Sequence, residues 1–196
     1  MVNRILSLLL LVLLLPVFFL IALFIYFEDG FPIFFQQKRV GAKYSFFQIF
    51  KFRSMKKNTP NVATHLLENP SQYVLKSGGL LRKLSLDELP NIINIVKGDM
   101  VFVGPRPALY NQDDLMALRV KAGVDQLVPG ITGWAQVNGR DEISLEEKVG
   151  FEKEYLERKS FWFDLKIMVL TFTKVLKSHS SRQHLHRITP HKGELT

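Results

Sequence analysis

The feature that most constrains this chain is an unbroken apolar run near its N-terminus. Residues 5–27 read ILSLLLLVLLLPVFFLIALFIYF and carry no charge. As a straight helix, this run would reach about 34 Å, enough for a bilayer core of about 30 Å. It is longer than the apolar part of a secretory signal, and the following Glu28, Asp29 and Gly30 offer no small-x-small cleavage site. We therefore expect a membrane element that the protein retains.

Pro16 lies halfway along this run and should kink or break the helix, because proline removes one backbone hydrogen bond and clashes with the preceding turn. A kinked helix could span the bilayer, or it could enter, bend at Leu15 and Pro16, and return to the same face. Arg4 precedes the run, and seven cations follow it: Lys38, Arg39, Lys43, Lys51, Arg53, Lys56 and Lys57. Cationic flanks favour the cytoplasmic side, so the charges favour the re-entrant alternative.

Composition narrows the class of protein further. The 196 residues include 26 Lys+Arg and 18 Asp+Glu, a formal net charge of +8, and 47% of the residues are hydrophobic, which excludes a disordered or low-complexity chain. The absence of cysteine excludes a disulfide framework, a cysteine zinc site and a cysteine nucleophile. A basic chain with a membrane element favours an anionic lipid surface. No nucleic-acid motif accompanies the charge, so nucleic acid is not an expected partner.

The remaining residues predict an α+β fold, mainly helical with one small β-hairpin over about 33–52. Residues 58–79 read as loop with one short helix, and 128–133 as a turn cluster. Helices are expected at 90–97, 113–122, 144–159 and 161–177. The expected organisation is a membrane element over 1–29, a cytoplasmic domain over 30–178 and a polar tail over 179–196.

Two of the expected helices are amphipathic. In the helix at 144–159, Ser144 and Glu147 have capping-box spacing, and the carboxylates, including Glu152 and Glu154, are expected to form a solvated face. The apolar helix at 161–177 suits a membrane interface, with Trp162 at the headgroups, and equally suits a buried core.

Chemistry is most concentrated at residues 85–91, which read SLDELPN. Asp87 and Glu88 could belong to a helix capped by Ser85, three residues before Glu88. Pro90 favours a helix that begins there instead, because within a second turn it would lack the N–H donor that the helix needs. Asp87 and Glu88 would then lie in a turn before that helix.

Arginines surround this acidic pair in the sequence. Arg82 lies just upstream, Arg106 lies between two prolines, and Arg140 follows a glycine-rich stretch. An arginine on a rigid backbone is a pre-organised phosphate ligand. Acids near such cations suggest a divalent metal on a diphosphate, with one carboxylate available to attack phosphorus.

Four motifs in order give the chain a family resemblance. They are KFRSM at 51–55, SLDELPN at 85–91, KGDMVFVGPRP at 97–107 and PGITGWAQVNGR at 129–140. The chain resembles the bacterial sugar transferases, small monotopic phosphoglycosyl transferases that act on polyprenyl phosphate, from about residue 1 to about 178. In this family the N-terminal helix is typically re-entrant, with the catalytic domain on the cytoplasmic face of the inner membrane.

The resemblance implies a reaction and a role for each matching residue. Asp87 would attack the sugar-proximal phosphate of a UDP-sugar and release UMP. The sugar of this donor is expected to be an N-acetylated hexosamine or a deoxy derivative. Glu88 would help to hold Mg²⁺ with Asp87 or deprotonate the lipid phosphate. Undecaprenyl phosphate would then take the phosphosugar from the enzyme. The implied phosphate ligands are Arg82, Arg106 and Arg140, with Lys51, Arg53 and Gln136 as further candidates.

Two other functions remain open from the sequence. One is a catalytically silent anchored protein that recruits glycan enzymes to the membrane. The other is a metal-dependent hydrolase of nucleotide sugars, which would release sugar phosphate without a lipid acceptor.

Overall fold

The computed structural model of the chain describes residues 1–60, 68–139 and 143–188, with side chains described up to residue 174. Within these ranges, helices and two small sheets alternate along the chain. The helices are α1 Val2–Asp29, α2 Pro70–Tyr73, α3 Lys76–Lys83, α4 Asn91–Lys97, α5 Asp113–Ala122, α6 Trp134–Asn138, α7 Leu145–Arg158 and α8 Phe161–Ile188. The strands are β1 Phe34–Val40, β2 Phe46–Phe52, β3 Val101–Val103 and β4 Gly130–Thr132. The predicted class, mainly helical α+β with a small hairpin, is confirmed.

The helix α1 packs one stripe against the rest of the protein and exposes the remainder. Ser7, Phe18, Ile21 and Ile25 are buried, and their separations of eleven, three and four residues, each close to a whole number of turns, place them on one helical face. Phe18, Ile21 and Ile25 pack with Phe52 of β2 and Leu81 of α3, and other partly buried side chains, including Leu11 and Leu14 of α1, pack against the same cluster. The other faces expose apolar side chains along most of the helix. By length and composition, α1 could cross a membrane.

Both ends of α1 contact the same domain. At the first end, a Cβ built on Gly98 would lie 1.8 Å from Nη2 of Arg4. At the last end, Glu28 accepts a hydrogen bond from the Ser77 N–H at 3.0 Å, and Asp29 forms an ion pair with Arg53. Pro16 lies inside the helix on its exposed side.

The predicted hairpin is confirmed as the antiparallel pair β1–β2, in register from Phe34 opposite Phe52 to Val40 opposite Phe46. A second sheet was missed. Strands β3 and β4 pair in parallel, with Val103 opposite Thr132, where the sequence predicted a turn cluster. A Cβ on Gly130 would lie 2.2 Å from the Gly104 nitrogen. Gly130 thus permits a close approach between the two strands. In the sequence, a glycine with this role has the same appearance as a glycine in a turn.

The loop prediction for 58–79 was wrong at its end, because α3 begins at Lys76 and includes Gly78 and Gly79. A Cβ on Gly78 would lie 2.1 Å from the Ser54 carbonyl oxygen. That glycine lets α3 pack on the chain that follows β2, so it serves packing and not a turn.

The helices α5, α7 and α8 enclose the largest core, which includes Leu115, Val149, Tyr155 and Ile167. The predicted capping box at Ser144 and Glu147 is confirmed. The alternative of a core helix holds for one side of α8, where Phe163 and Ile167 are buried. Several apolar residues are exposed, namely Phe161, Trp162, Val169 and Phe172, so the membrane-interface alternative stays a prediction. The backbone of α8 continues past the predicted end at 177 to Ile188.

Candidate active site

The acidic pair lies in a 3₁₀ turn, Leu86–Glu88, between α3 and α4. Ser85 adopts a left-handed conformation (φ 56°) and makes no side-chain capping bond. The helix α4 begins only after Pro90. The local structure is therefore the one that Pro90 favoured, with both carboxylates presented by a turn and not by a capped helix.

Glu88 lies between two cations from distant parts of the chain. Its Oε1 is 2.7 Å from Nζ of Lys51 on β2 and 3.5 Å from Nη2 of Arg106. The side chains of Glu88 and Lys51 are 19% and 16% exposed. At these distances and this burial, the interactions among the three charges are strong and weakly screened.

Asp87 has different surroundings. Burial raises the pKa of its carboxyl group, the positive charge of Lys51 opposes that effect, Glu88 adds to it and Arg82 again opposes it. The net pKa lies above the usual aspartate range. The Asp87 carboxylate is therefore more basic than that of an ordinary aspartate. A more basic carboxylate is the better nucleophile once it is ionised.

Arg82 links α3 to the segment after β2, since its Nε donates to Oγ of Ser54 at 2.9 Å. Arg82 is exposed to solvent, and its positive charge favours the ionised form of Asp87. The structure therefore brings three predicted cations to the acidic pair: Lys51 and Arg106 contact Glu88, and the charges of Lys51 and Arg82 act on Asp87.

Arg53, another predicted phosphate ligand, makes its contacts with the end of α1 and the residues that follow it. It is 6% exposed, and its guanidinium donates to the carboxylate of Asp29 and to the carbonyl oxygens of Asp29, Gly30 and Pro32. These bonds fasten the end of α1 to β2. The structure thus places Arg53 in the junction between α1 and the domain.

Gln136 lies on α6. Its Nε2 donates to the carbonyl of Ile131 at 3.0 Å, and its Oε1 is buried without a hydrogen-bond partner among the described residues. Arg140, the last of the predicted phosphate ligands, lies outside the described residues.

A cleft of about 260 Å³, including its open mouth, lies beside Glu88. Its lining includes Arg39, Lys51, Glu88, Asn91, Arg106 and Ile131. Three cations and one carboxylate give the wall a positive balance, which suits an anionic ligand. Asp87, in the same turn, does not line this cleft.

The sequence reasoning missed Arg39 and Asn91. Arg39 donates to the Pro107 carbonyl at 3.0 Å and to Oε1 of Gln37 at 2.6 Å. Burial, with a smaller contribution from the Arg106 charge, lowers the pKa of Arg39 to about 10. Its Nε and Oδ1 of Asn91 are buried without partners among the described residues. The available signals were a cation in β1, which begins with two aromatic residues, and a polar residue three positions after Glu88.

Among the described residues, no group of three or more His, Cys, Asp or Glu side chains is gathered as a metal site. Mg²⁺, however, is commonly held by one or two carboxylates together with substrate phosphates. Asp87 and Glu88 supply such carboxylates, and a third oxygen is Oδ1 of Asn91, which has no hydrogen-bond partner among the described residues and belongs to a residue that lines the cleft with Glu88. The donor set therefore fits Mg²⁺.

Comparison with known proteins points in one direction. A family model described as bacterial sugar transferase matches residues 1–178. The chain is 43% identical over 158 residues to the uncharacterized sugar transferase EpsL of Bacillus subtilis, covering 80% of this chain and 76% of that protein. It is 39% identical over 180 residues to the UDP-glucose:undecaprenyl-phosphate glucose-1-phosphate transferase of Escherichia coli, covering 88% of this chain and 39% of that protein.

A third relative is the undecaprenyl-phosphate galactose phosphotransferase of Salmonella typhimurium, 34% identical over 168 residues. The match covers 76% of this chain and 34% of that protein. The chain thus spans only a little over a third of the length of the two relatives whose names state a reaction.

Proposed function

The chain belongs to the bacterial sugar transferase family, and from that premise we propose that it is a phosphoglycosyl transferase that moves a sugar-1-phosphate from a UDP-sugar to undecaprenyl phosphate. Two relatives are named for transfer of glucose-1-phosphate or galactose phosphate to that lipid. The observation that carries the proposal is the turn that presents Asp87 beside Glu88, with Glu88 held between Lys51 and Arg106.

In the proposed first step, an oxygen of the ionised Asp87 attacks the sugar-proximal phosphorus of the donor. A bond forms between that oxygen and phosphorus, and the bond from phosphorus to the bridging oxygen of the diphosphate breaks. UMP leaves with the electron pair, and the phosphosugar remains on Asp87 as an acyl phosphate. Phosphoryl transfer depends mainly on positioning and on neutralisation of charge, which Arg82, Arg106 and Lys51 would supply.

In the proposed second step, a phosphate oxygen of undecaprenyl phosphate attacks the same phosphorus. The acyl phosphate bond breaks, Asp87 regains its carboxylate, and undecaprenyl diphosphate-sugar leaves. Two steps through one carboxylate allow the soluble donor and the lipid acceptor to use the site in turn. Glu88 would accept a proton from the lipid phosphate where that group arrives protonated.

Mg²⁺ belongs to the proposal as a cofactor held by Asp87, Glu88 and Oδ1 of Asn91. When bound, it would neutralise charge on the diphosphate. Lys51, Arg82 and Arg106 would contact the phosphate oxygens of the donor and hold them in position.

The membrane arrangement is also a proposal. A proline ring crowds the carbonyl one turn earlier on its own side of the helix, so the helix opens there and bends away from that side. Pro16 lies on the exposed side of α1, so a bend would turn both ends toward the domain. Both ends do contact the domain, through Arg4 and Asp29. These contacts support a re-entrant α1, with the domain on the cytoplasmic face of the inner membrane and the exposed apolar face of α8 at the interface.

The donor sugar is proposed to be an N-acetylated hexosamine or a deoxy derivative. Because relatives are named for transfer of glucose and galactose, UDP-glucose and UDP-galactose must be tested beside the UDP-linked hexosamines.

The testing experiment measures UMP release by purified protein against a panel of these UDP-sugars, with and without undecaprenyl phosphate and Mg²⁺. We expect UMP release with one donor class, a lipid-linked product, and no turnover by the Asp87→Asn variant. The matched control is Asp113→Asn, because Asp113 is an exposed acid in the first turn of α5.

Other outcomes identify the alternatives. A wild-type protein that releases no UMP with any donor would indicate a silent recruiter. Free sugar phosphate formed without lipid would indicate a hydrolase of nucleotide sugars.

A further inference from the structure

The segment that carries Arg106 is held at four successive carbonyl groups. The Pro105 oxygen accepts from the Gly130 N–H at 2.9 Å and the Ala108 oxygen from the Val40 N–H at 3.0 Å. Between them, the Arg106 oxygen accepts from Nη2 of Arg119 at 2.9 Å. The Pro107 oxygen accepts from Arg39. Since the prolines also fix φ at two of these residues, the backbone at Arg106 has little freedom.

The donor to the Arg106 carbonyl is part of a buried ion pair. Nε of Arg119 on α5 donates to Oε2 of Glu152 on α7 at 2.8 Å, and Nη2 of Arg119 contacts Oε1 of the same carboxylate. The two side chains are 6% and 2% exposed. The prediction that Glu152 belongs to a solvated face is therefore wrong, because its side chain is buried. The sequence did not indicate this, since the partner of Glu152 lies 33 residues away.

Stability alone is a weak reason for such a pair. Removing charges from water is costly, and a well-packed apolar pair of similar volume is often equally stable or more so. The ion pair does one thing that an apolar pair could not do: it aims a guanidinium N–H at the Arg106 carbonyl. An arginine can form the two-point contact with Glu152 and still donate to a third oxygen, whereas a lysine has no such fork.

We infer that Arg119 and Glu152 form a positioning pair, which holds the Arg106 backbone so that the Arg106 guanidinium meets the donor diphosphate beside Glu88. This inference rests on the proposed function. The path runs from Glu152 through Arg119 to the Arg106 carbonyl, and from the Arg106 side chain to Glu88 at 3.5 Å. Neither Arg119 nor Glu152 touches the substrates in this account.

The test is a mutant cycle on UMP release, with the donor for which the wild type turns over. The double variant Arg119→Met/Glu152→Leu removes the positioning bond and both charges together, so no buried charge is left unpaired. We expect its thermal unfolding midpoint to stay near that of the wild type and its kcat/KM for the donor to fall about tenfold or more, because misplacement by about 1 Å can cost about a hundredfold. The control is Arg158→Met, which removes an exposed ion pair on α7.

The deciding arm repeats the substitution in an Arg106→Ala background, with single-turnover UMP release to capture slow rates. If the pair acts through Arg106, the double substitution causes no further loss there. Unchanged kcat/KM in the double variant, or an equal fold-loss in the Arg106→Ala background, would overturn the inference.

Folding failure is covered by a second variant. If the double variant does not fold, Arg119→Lys takes its place in the same cycle, because it keeps the charge opposite Glu152 and loses the fork. A wild-type protein that releases no UMP defeats the proposed function and the positioning role together. An active wild type with an unaffected double variant defeats the positioning role alone.

Discussion

At the scale of single residues, Asp87 and Glu88 are neighbours in sequence with unequal surroundings. Glu88 meets Lys51 and Arg106 directly. For Asp87, burial is the largest influence on its pKa and raises it. Two carboxylates in different surroundings commonly take different chemical roles. The proposed division gives nucleophilic attack to Asp87 and charge and proton handling to Glu88.

The raised pKa of Asp87 predicts a pH-dependent stability effect. A raised pKa means that the folded protein holds this proton more tightly than the unfolded chain does. The stabilising contribution is fully present below the unfolded pKa and is lost as the pH rises through the folded pKa. Ionised Asp87 therefore lowers stability at neutral pH. Asp87→Asn should unfold at or above the wild-type temperature at pH 7, with the difference shrinking in acid.

Thermal unfolding of both proteins across acid and neutral pH, in the same detergent, measures this effect. Asp113→Asn provides the comparison, because Asp113 is exposed and favourably placed in the first turn of α5, so its loss should bring no gain. A markedly lower unfolding temperature for Asp87→Asn at pH 7 would contradict the account.

At the scale of elements, the proposed re-entrant topology of α1 rests on Pro16 and on the contacts at both helix ends. The chain has no cysteine, so single cysteines can report sidedness without background. In a re-entrant arrangement, Val2→Cys and Lys56→Cys should both react with a membrane-impermeant thiol reagent in inverted vesicles, and neither should react in intact spheroplasts. Val2 is 78% exposed, which makes it a suitable reporter. Labelling of Val2→Cys from the periplasmic side would establish a spanning helix.

The two adjacent glycines of α3 predict opposite effects on stability. Gly79 has nothing within 4 Å of its would-be Cβ, so Gly79→Ala should stabilise the protein by about 0.5–1 kcal/mol through helix propensity. A Cβ on Gly78 would collide with the Ser54 carbonyl, so Gly78→Ala should cost about 1–3 kcal/mol. Chemical denaturation of the two variants beside the wild type measures both. Equal effects would show that the contact between α3 and Ser54 is not as described.

Elements with local signals were predictable, and those made by distant contacts were not. The hairpin, α4 with its stop at Gly98, α5 and the capped α7 all follow from periodicity and capping residues. Strands β3 and β4, the start of α3 and the burial of Glu152 depend on Gly130, Gly78 and Arg119, whose partners lie far away in sequence. A glycine that permits close backbone approach has the same sequence signal as a glycine in a turn.

The same distinction holds for the site. The motifs contain Lys51, Asp87, Glu88 and Arg106, and Arg82 lies just upstream of one of them; the structure gathers these residues around one turn. Arg53 carries the same charge and lies two residues from Lys51, yet it binds the end of α1. Arg53 lies one residue past the end of β2. Its role is separated from that of Lys51 by tertiary contacts, which the motif does not contain.

At the scale of the whole molecule, the site exists only when the hairpin, the acidic turn, α4 and the β3–β4 pair have come together. Lys51 comes from β2, Glu88 from the turn and Arg106 from the segment after β3. The same assembly places the exposed apolar surfaces of α1 and α8 on the protein that carries this cationic cleft. A protein organised in this way can hold a nucleotide-sugar site close to a membrane surface, where a lipid phosphate would be found.

The central claim is that the phosphosugar passes through Asp87. Its most direct test is intact-protein mass spectrometry after the purified protein is mixed with its UDP-sugar in the absence of lipid. The account predicts a mass increase of one phosphosugar on the wild type, no increase on Asp87→Asn, and loss of the added mass when undecaprenyl phosphate is supplied. Lipid-linked product formed with no such adduct, or an adduct that survives in Asp87→Asn, would contradict it.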